Sequence, residues 1–291
     1  MSKPPLAIVG AGRVGSALAI LLKRKGYRVA GVASRSMESA VRVASEVGAA
    51  ASTVPWEVTP LADVVFITTP DREIAKVAEQ IAAGGGFRPG QVVFHTSGAH
   101  SAEEIGAARR FGAAVASLHP LQSFADLQAA VENLPGSYFA LEGDKGALIL
   151  AEQIVRDLEG KSFYINAADK PLYHAAACIA CNYLVSLLHL SYALYSRFGL
   201  GRREAEEALR PLVEGTLKNI RRAGPAGALT GPISRGDGPT VEDHLRALRE
   251  VGERETEVYK ALAAYTVGIA LEKGTLSAAK AGELMEIIKR G

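Results

Sequence analysis

The stretch "AIVGAGRVGSALAILL" sets Gly10, Gly12 and Gly15 between an apolar run and an amphipathic helical segment, close to the start of the chain. Alone this spacing is a weak signal, but with strand, helix and second strand in place it points to nucleotide binding. The first glycine makes the tight turn, the second lets the backbone approach a pyrophosphate, and the third lets helix and strand pack closely. Phosphates then meet the helix N-terminus. The loop Gly10, Ala11, Gly12, Arg13, Val14 and Gly15 is therefore read as a dinucleotide cradle. A second strand-like run, "YRVAGVAS", ends just before Arg35, where a carboxylate would hold the free 2′-hydroxyl of NAD. Ser34, Arg35 and Ser36 stand there instead. A guanidinium between two hydroxyls binds a 2′-phosphate by charge-assisted hydrogen bonds, so the expected cofactor is NADP(H). Ser36 has a second reading, as the cap of the next helix.

From residue 4 to about 165, short β-branched runs alternate with helix-length segments, the pattern of a parallel sheet with crossovers. The strand candidates are "LAIVG", "RVAGVAS", "DVVFITT", "QVVFHTS", "AAVASLH", "SYFALEG" and "SFYINA". After Ala168 only helical patterns remain. The expected fold is α/β: a Rossmann domain with a mostly parallel sheet over residues 1–165, followed by an all-α domain over 166–291. Residues 221–240, "RRAGPAGALTGPISRGDGPT", read as a long Gly/Pro-rich loop, which compact domains keep mostly for a use. Thr240 reads as the N-cap of the helix after it, with Asp243 three residues on, and Ser277 caps the last helix similarly.

The net charge of +2, with no single-sign blocks, excludes a nucleic-acid groove and a polybasic membrane anchor. The start, "MSKPPLAIVGAG", lacks the order of a signal peptide, and a cytoplasmic protein is expected. Cys178 and Cys181 have no second ligand pair and read as buried thiols, with no metal expected. The apolar stretch from Leu172 to Leu200 is interrupted by His174, Asn182, His189 and Arg197, and reads as a buried central helix rather than a membrane span.

Ligands of open α/β sheets sit at the carboxyl ends of strands. "FITTPD" puts Thr68, Thr69 and Pro70 there, "VVFHTSG" puts Thr96 and Ser97, and "VASLHPLQS" puts His119, with Ser123 following. Thr68, Thr69, Pro70 and Thr96 are assigned to the cofactor, Ser97 and His119 to catalysis, and Ser123 to the substrate. On a helix, His174, Cys178, Cys181 and Asn182 lie near one face, so His174 and Asn182 are further catalytic candidates. Arg235 is read as a clamp on a substrate carboxylate, oriented by Asp237.

Taken together, "VGAGRVG", "ASRS", "TTPD", "HTSGA", "SLHPLQSF", "YHAAACIACNYL" and "LTGPISRGD" resemble the bacterial NADP-dependent oxidoreductases that join a Rossmann-like domain to the domain of unknown function 2520. That family is similar to ketopantoate reductase, pyrroline-5-carboxylate reductase and the β-hydroxyacid dehydrogenases. The resemblance implies a helical substrate-binding domain that forms a homodimer, a small-molecule substrate and hydride transfer from NADPH. It also implies reduction of 2-dehydropantoate (ketopantoate) to pantoate, with an imine reductase of the pyrroline-5-carboxylate type as the rival enzyme and an NADP-binding sensor as the rival class. Related enzymes carry a catalytic Lys and Asn on the first interdomain helix. Here Lys170 precedes that helix, the usual Lys-Asn spacing is missing, and His174 is the preferred proton donor.

Overall fold

The computed structural model describes residues 3–291 and alternates strand and helix through its first half. The run begins with β1 (Leu6–Val9), α1 (Arg13–Arg24), β2 (Val29–Ala33), α2 (Met37–Val47) and β3 (Ala50–Ser52). It continues with the single turn α3 (Pro55–Val58), β4 (Val64–Ile67), α4 (Ile74–Ala83), β5 (Val92–His95) and β6 (Ala114–Leu121). Then come α5 (Leu127–Asn133), β7 (Tyr138–Gly143), α6 (Lys145–Asp157) and β8 (Lys161–Tyr164). The strands form one sheet in the order β3-β2-β1-β4-β5-β6-β7-β8, parallel throughout except for the antiparallel pair β6 and β7. The sheet is thus mostly parallel, as the sequence pattern requires. Only β3 is an addition, an edge strand of three small residues with no β-branched side chain to mark it.

Side chains alternate across the sheet, so each central strand feeds two cores. Val64 and Phe66 of β4 join Leu6, Ile8, Leu18, Leu22 and Phe94 on one face, while Val65 and Ile67 join Ala7, Val9, Ile81 and Val93 on the other. Burial on both faces is why these strands read as unbroken apolar runs. Each such large side chain removed fully from water contributes roughly 1.5–3 kcal/mol. Ile8 pairs with Val32 of β2 on one side and with Phe66 of β4 on the other, so the strand order reverses at β1. A crevice opens at such a reversal, beyond the carboxyl ends of the strands.

Two compact units divide the chain, one ending at Tyr183 and the other being Leu184–Gly291. The sequence places the boundary at 165/166. In the structure α7 (Lys170–Cys178) and the single turn of π-helix after it, Ile179–Tyr183, go with the sheet, because Lys170 and Tyr173 hydrogen-bond to residues of its strand ends. The second unit consists of α8 (Leu184–Tyr195), α9 (Arg202–Ala228), the turn α10 (Pro232–Arg235), α11 (Gly238–Arg249), α12 (Glu253–Lys273) and α13 (Ala278–Arg290). Its core gathers Ile233, Val241, Leu245, Val267, Leu284 and Ile288.

Several expectations need correction. Residues 221–240 are not a long loop: helix continues to Ala228, with a break only at Gly224 (φ 69°), and Pro225 restarts it where no N–H is required. The N-cap of α11 is Asp237 rather than Thr240, whose N–H donates to Asp237 Oδ1 at 3.2 Å. Ser277 does cap α13, accepting from Lys280 N at 3.3 Å. The apolar stretch from 172 onward is not buried among the described residues: Leu172 is 76% and Val185 65% exposed. Cys181 is likewise exposed and Cys178 half-buried. By length and composition alone Ala167–Phe198 could cross a bilayer, although Lys170, His174, Asn182, His189 and Arg197 punctuate it.

Candidate active site

The crevice at the strand reversal is a cavity of about 460 Å³, lined by Gly10, Ala11, Gly12, Ser34, Arg35, Thr68, Thr69 and Pro70, with Ser39 and Lys76 at its wall. Gly10 sits at φ 117°, a conformation side chains rarely adopt. A Cβ on Gly15 would lie 2.1 Å from Gly10 O and 2.3 Å from Thr68 Oγ1, so only glycine lets α1 come this close. At Gly12 the same atom would meet nothing within 4 Å, which leaves room for a ligand. Thr68 locks the loop from the neighbouring strand, its Oγ1 donating to Gly10 O at 2.7 Å.

Three observations fit this cavity to a dinucleotide phosphate. The N-terminus of α1 has no side-chain cap and no acidic residue in its first turn, so its N–H groups are available to an anion. Among the described residues the buried Oγ1 of Thr69 has no hydrogen-bond partner, an atom that a ligand would satisfy. Arg35 is exposed at the rim next to Ser34. Ser36 serves as the N-cap of α2, accepting from Ser39 N at 3.3 Å. Arg13 is exposed at the start of α1, Val14 packs on the core, and Thr96 is half-buried beyond β5; none of these three lines the cavity.

A second cavity of about 740 Å³, within the first unit, brings together His119, Ser123, Tyr173, His174, Cys178 and Asn182. The helical spacing expected for His174, Cys178, Cys181 and Asn182 is realised, since all four line it. His119 Nδ1 and Tyr173 Oη are 2.6 Å apart. As the stronger acid of the pair the phenol is assigned as the donor, which puts the imidazole proton on Nε2. The rings of His119 and His174 meet edge to face with centroids 6.1 Å apart, and His174 Nδ1 lies 3.9 Å from Cys178 Sγ. Gly98 is wedged between them: a Cβ there would lie 2.7 Å from His174 Cδ2 and 2.8 Å from His119 Nε2.

Burial, followed by the charges of Lys170 and His174, pushes His119 down to about 3, so its imidazole is neutral. Burial also pushes the Tyr173 phenol up to about 12. His95 is driven to about 3 mainly by burial, then by Lys170. It is a staple for the loop after β5, with Nδ1 accepting from Ser97 N at 3.1 Å and Nε2 facing Ser101 O at 2.9 Å.

Ser97 is not presented to either cavity. It is buried, and its Oγ accepts from the N–H groups of Ala99 and His100, both at 3.2 Å, which ends the strand in a local turn. In the second unit, Asp237 spends its carboxylate on Thr240, accepting also from Oγ1 at 2.8 Å, while Arg235 is exposed at the end of α10. Tyr173 is the residue that sequence reasoning passed over. Lys170, expected just before the helix, opens it instead, four positions before His174.

A profile of the Rossmann-like domain matches residues 2–120, and one of the domain of unknown function 2520 matches residues 137–266. A structurally characterised protein from Thermotoga maritima is 31% identical over 92% of this chain and 99% of its own, with a TM-score of 0.72. The chain belongs to the family that joins these two domains. No curated protein matches it. Within the fold, a candidate NADP oxidoreductase from Bacteroides fragilis has a TM-score of 0.75 at 24% identity, over 92% of this chain and 99% of the other. A reductive aminase from Aspergillus terreus, solved with NADPH and ethyl-5-oxohexanoate, scores 0.62 at 19% identity, covering 99% of this chain and 93% of its own.

Proposed function

We propose that this family member is an NADP(H)-dependent reductase of a small carbonyl compound, with the 2-oxo acid ketopantoate as the leading substrate. The observation that carries the cofactor assignment is the uncapped N-terminus of α1 on a cavity whose rim offers Arg35 and no carboxylate at the end of β2. The bound cofactor would lie along Gly10–Gly12, with Arg35 and Ser34 on its 2′-phosphate, and Thr68, Thr69 and Pro70 leading toward the nicotinamide. When bound, it supplies a hydride.

The chain's own residues supply position and a proton. His119, neutral and protonated on Nε2, hydrogen-bonds the substrate oxygen, as a neutral imidazole can polarise a carbonyl. As charge gathers on that oxygen, Nε2 gives up its proton and Nδ1 takes one from Tyr173, so the net donor is the phenol and water restores it. This pair fits the donor role better than His174 alone, whose nearest polar partner is the Cys178 thiol. His174 and Asn182 orient the substrate, and Ser123 lines its cavity.

The rival reading is imine reduction. Structural neighbours of this fold include an imine reductase from Pseudomonas sp., with a TM-score of 0.59 at 18% identity. The buried lysine near His119 argues for the carbonyl, because a nearby cation stabilises a developing oxyanion and opposes an iminium. The exposed apolar face at Leu172, Ile179 and Tyr183 supports a homodimer in which a second copy covers it.

The deciding experiment follows NADPH oxidation with ketopantoate and with a cyclic imine in parallel, while binding of NADPH and NADH is measured by fluorescence. Turnover of ketopantoate with NADPH preferred supports the proposal. Turnover of the imine alone transfers the chemistry to the rival, and tight NADPH binding without turnover of either points to a sensor.

A further inference from the structure

Lys170 opens α7, yet its side chain is completely buried. Its Nζ donates to Ser97 O at 3.1 Å and to Ser117 Oγ at 2.5 Å, and Ser117 Oγ donates in turn to Ser97 O at 3.2 Å. Among the described residues it forms no salt bridge; Glu142 and Asp71 act on it only through longer-range attraction. An ammonium removed from water and bonded only to neutral oxygens is costly to fold around, and such groups concentrate at functional sites. Burial lowers its pKa to about 8, so the charge persists at neutral pH. Lys170 is fully buried and does not line the substrate cavity. Its carbonyl partner Ser97 instead precedes Gly98, the residue wedged between His119 and His174.

We propose that Lys170 is a positioning residue: its buried ammonium fixes the Ser97–Gly98 turn against the two imidazoles. Its charge adds to burial, the larger cause, in keeping His119 unprotonated. The role in catalysis rests on the reduction proposed above; the electrostatic part does not. The titratable groups around it are His95, His119, His174 and Tyr173, with Glu142 and Asp71 on the anionic side and His100 acting on His95. Glu142 is itself held, its Oε2 accepting from Ala102 N at 2.7 Å.

The test is nuclear magnetic resonance of the full chain without cofactor or substrate, following the His119 ring assigned through His119→Gln. In the unaltered protein the ring signals should step near pH 8 as Lys170 loses its proton. In Lys170→Gln, which keeps a hydrogen-bonding group and removes the charge, that step should vanish and the imidazole pKa should rise by about one unit or more. A ring that shows no step near pH 8, or a step that survives Lys170→Gln, overturns the electrostatic role. If Lys170→Gln does not fold, titration of the unaltered protein alone decides. Where NADPH turnover is established, Lys170→Gln should lower kcat at least tenfold with KM for NADPH unchanged; an unaltered kcat overturns the positioning role even if the titration holds.

Discussion

Replacing Gly98 by alanine tests the imidazole cluster without touching a polar group. The new Cβ would lie 2.7 Å from His174 Cδ2 and 2.8 Å from both Cε1 and Nε2 of His119, so reaching ordinary contact at 3.4 Å demands a movement of about 0.7 Å. Neither side can yield freely, because His119 is tied to Tyr173 and the turn is tied through Ser97 to Lys170 and His95. Overpacking of this kind costs about 1–3 kcal/mol, which lowers the melting temperature by roughly 2–4 °C per kcal/mol in a chain of this size. A displacement approaching 1 Å at reacting groups costs about 10²-fold in rate, and that loss should fall on kcat. Thermal melts and steady-state kinetics with NADPH read the two effects separately. Gly12→Ala is the control: its Cβ meets nothing, so stability should hold while cofactor binding weakens. A Gly98→Ala protein with unaltered kcat would refute the assignment of His119 and His174 to the reacting site.

Arg35→Glu should weaken NADPH binding by about 10–100-fold, the worth of a charge-assisted phosphate contact, and leave NADH nearly unaffected; equal losses for both would remove Arg35 from the 2′-phosphate. Tyr173→Phe removes the relay proton and should lower kcat by about 10²-fold or more with little change in KM for NADPH, read by steady-state kinetics. Acid titration has a definite sign. His95 and His119 carry folded pKa values near 3, below the unfolded value of about 6.5, so the unfolded chain binds protons first and stability falls from about pH 6.5 toward pH 3. The slope is at most about 1.4 kcal/mol per pH unit for each histidine, less for His119 because it is partly exposed, and urea melts at several pH values check it. Asp237→Ala removes a helix cap, so it should lower the melting temperature while leaving turnover intact; lost turnover would return Asp237 to the substrate.

The cofactor cavity was legible because its determinants are local. Gly10, Gly12 and Gly15 fall within six residues, and β1, β4 and β5 announce themselves by burial on both faces. The substrate cavity was half legible: helical spacing brought His174, Cys178 and Asn182 to one side, but the partner of His119 lies 54 positions away and that of Lys170 lies 73 away. No local periodicity encodes such pairs. The stretch from Arg221 to Thr240 misled for the opposite reason, since its glycines and prolines punctuate helix ends there rather than fill a loop.

Strand β1 lies inside the sheet, between β2 and β4, although it precedes both in the chain. During synthesis the residues of β2 are available to it first, but its other edge has no partner until Val64–Ile67 leave the ribosome. Until then a fully apolar strand presents unpaired N–H and C=O groups, a template for joining another nascent chain. Slow passage from residue 9 to residue 67 therefore lengthens the time for which that edge is open.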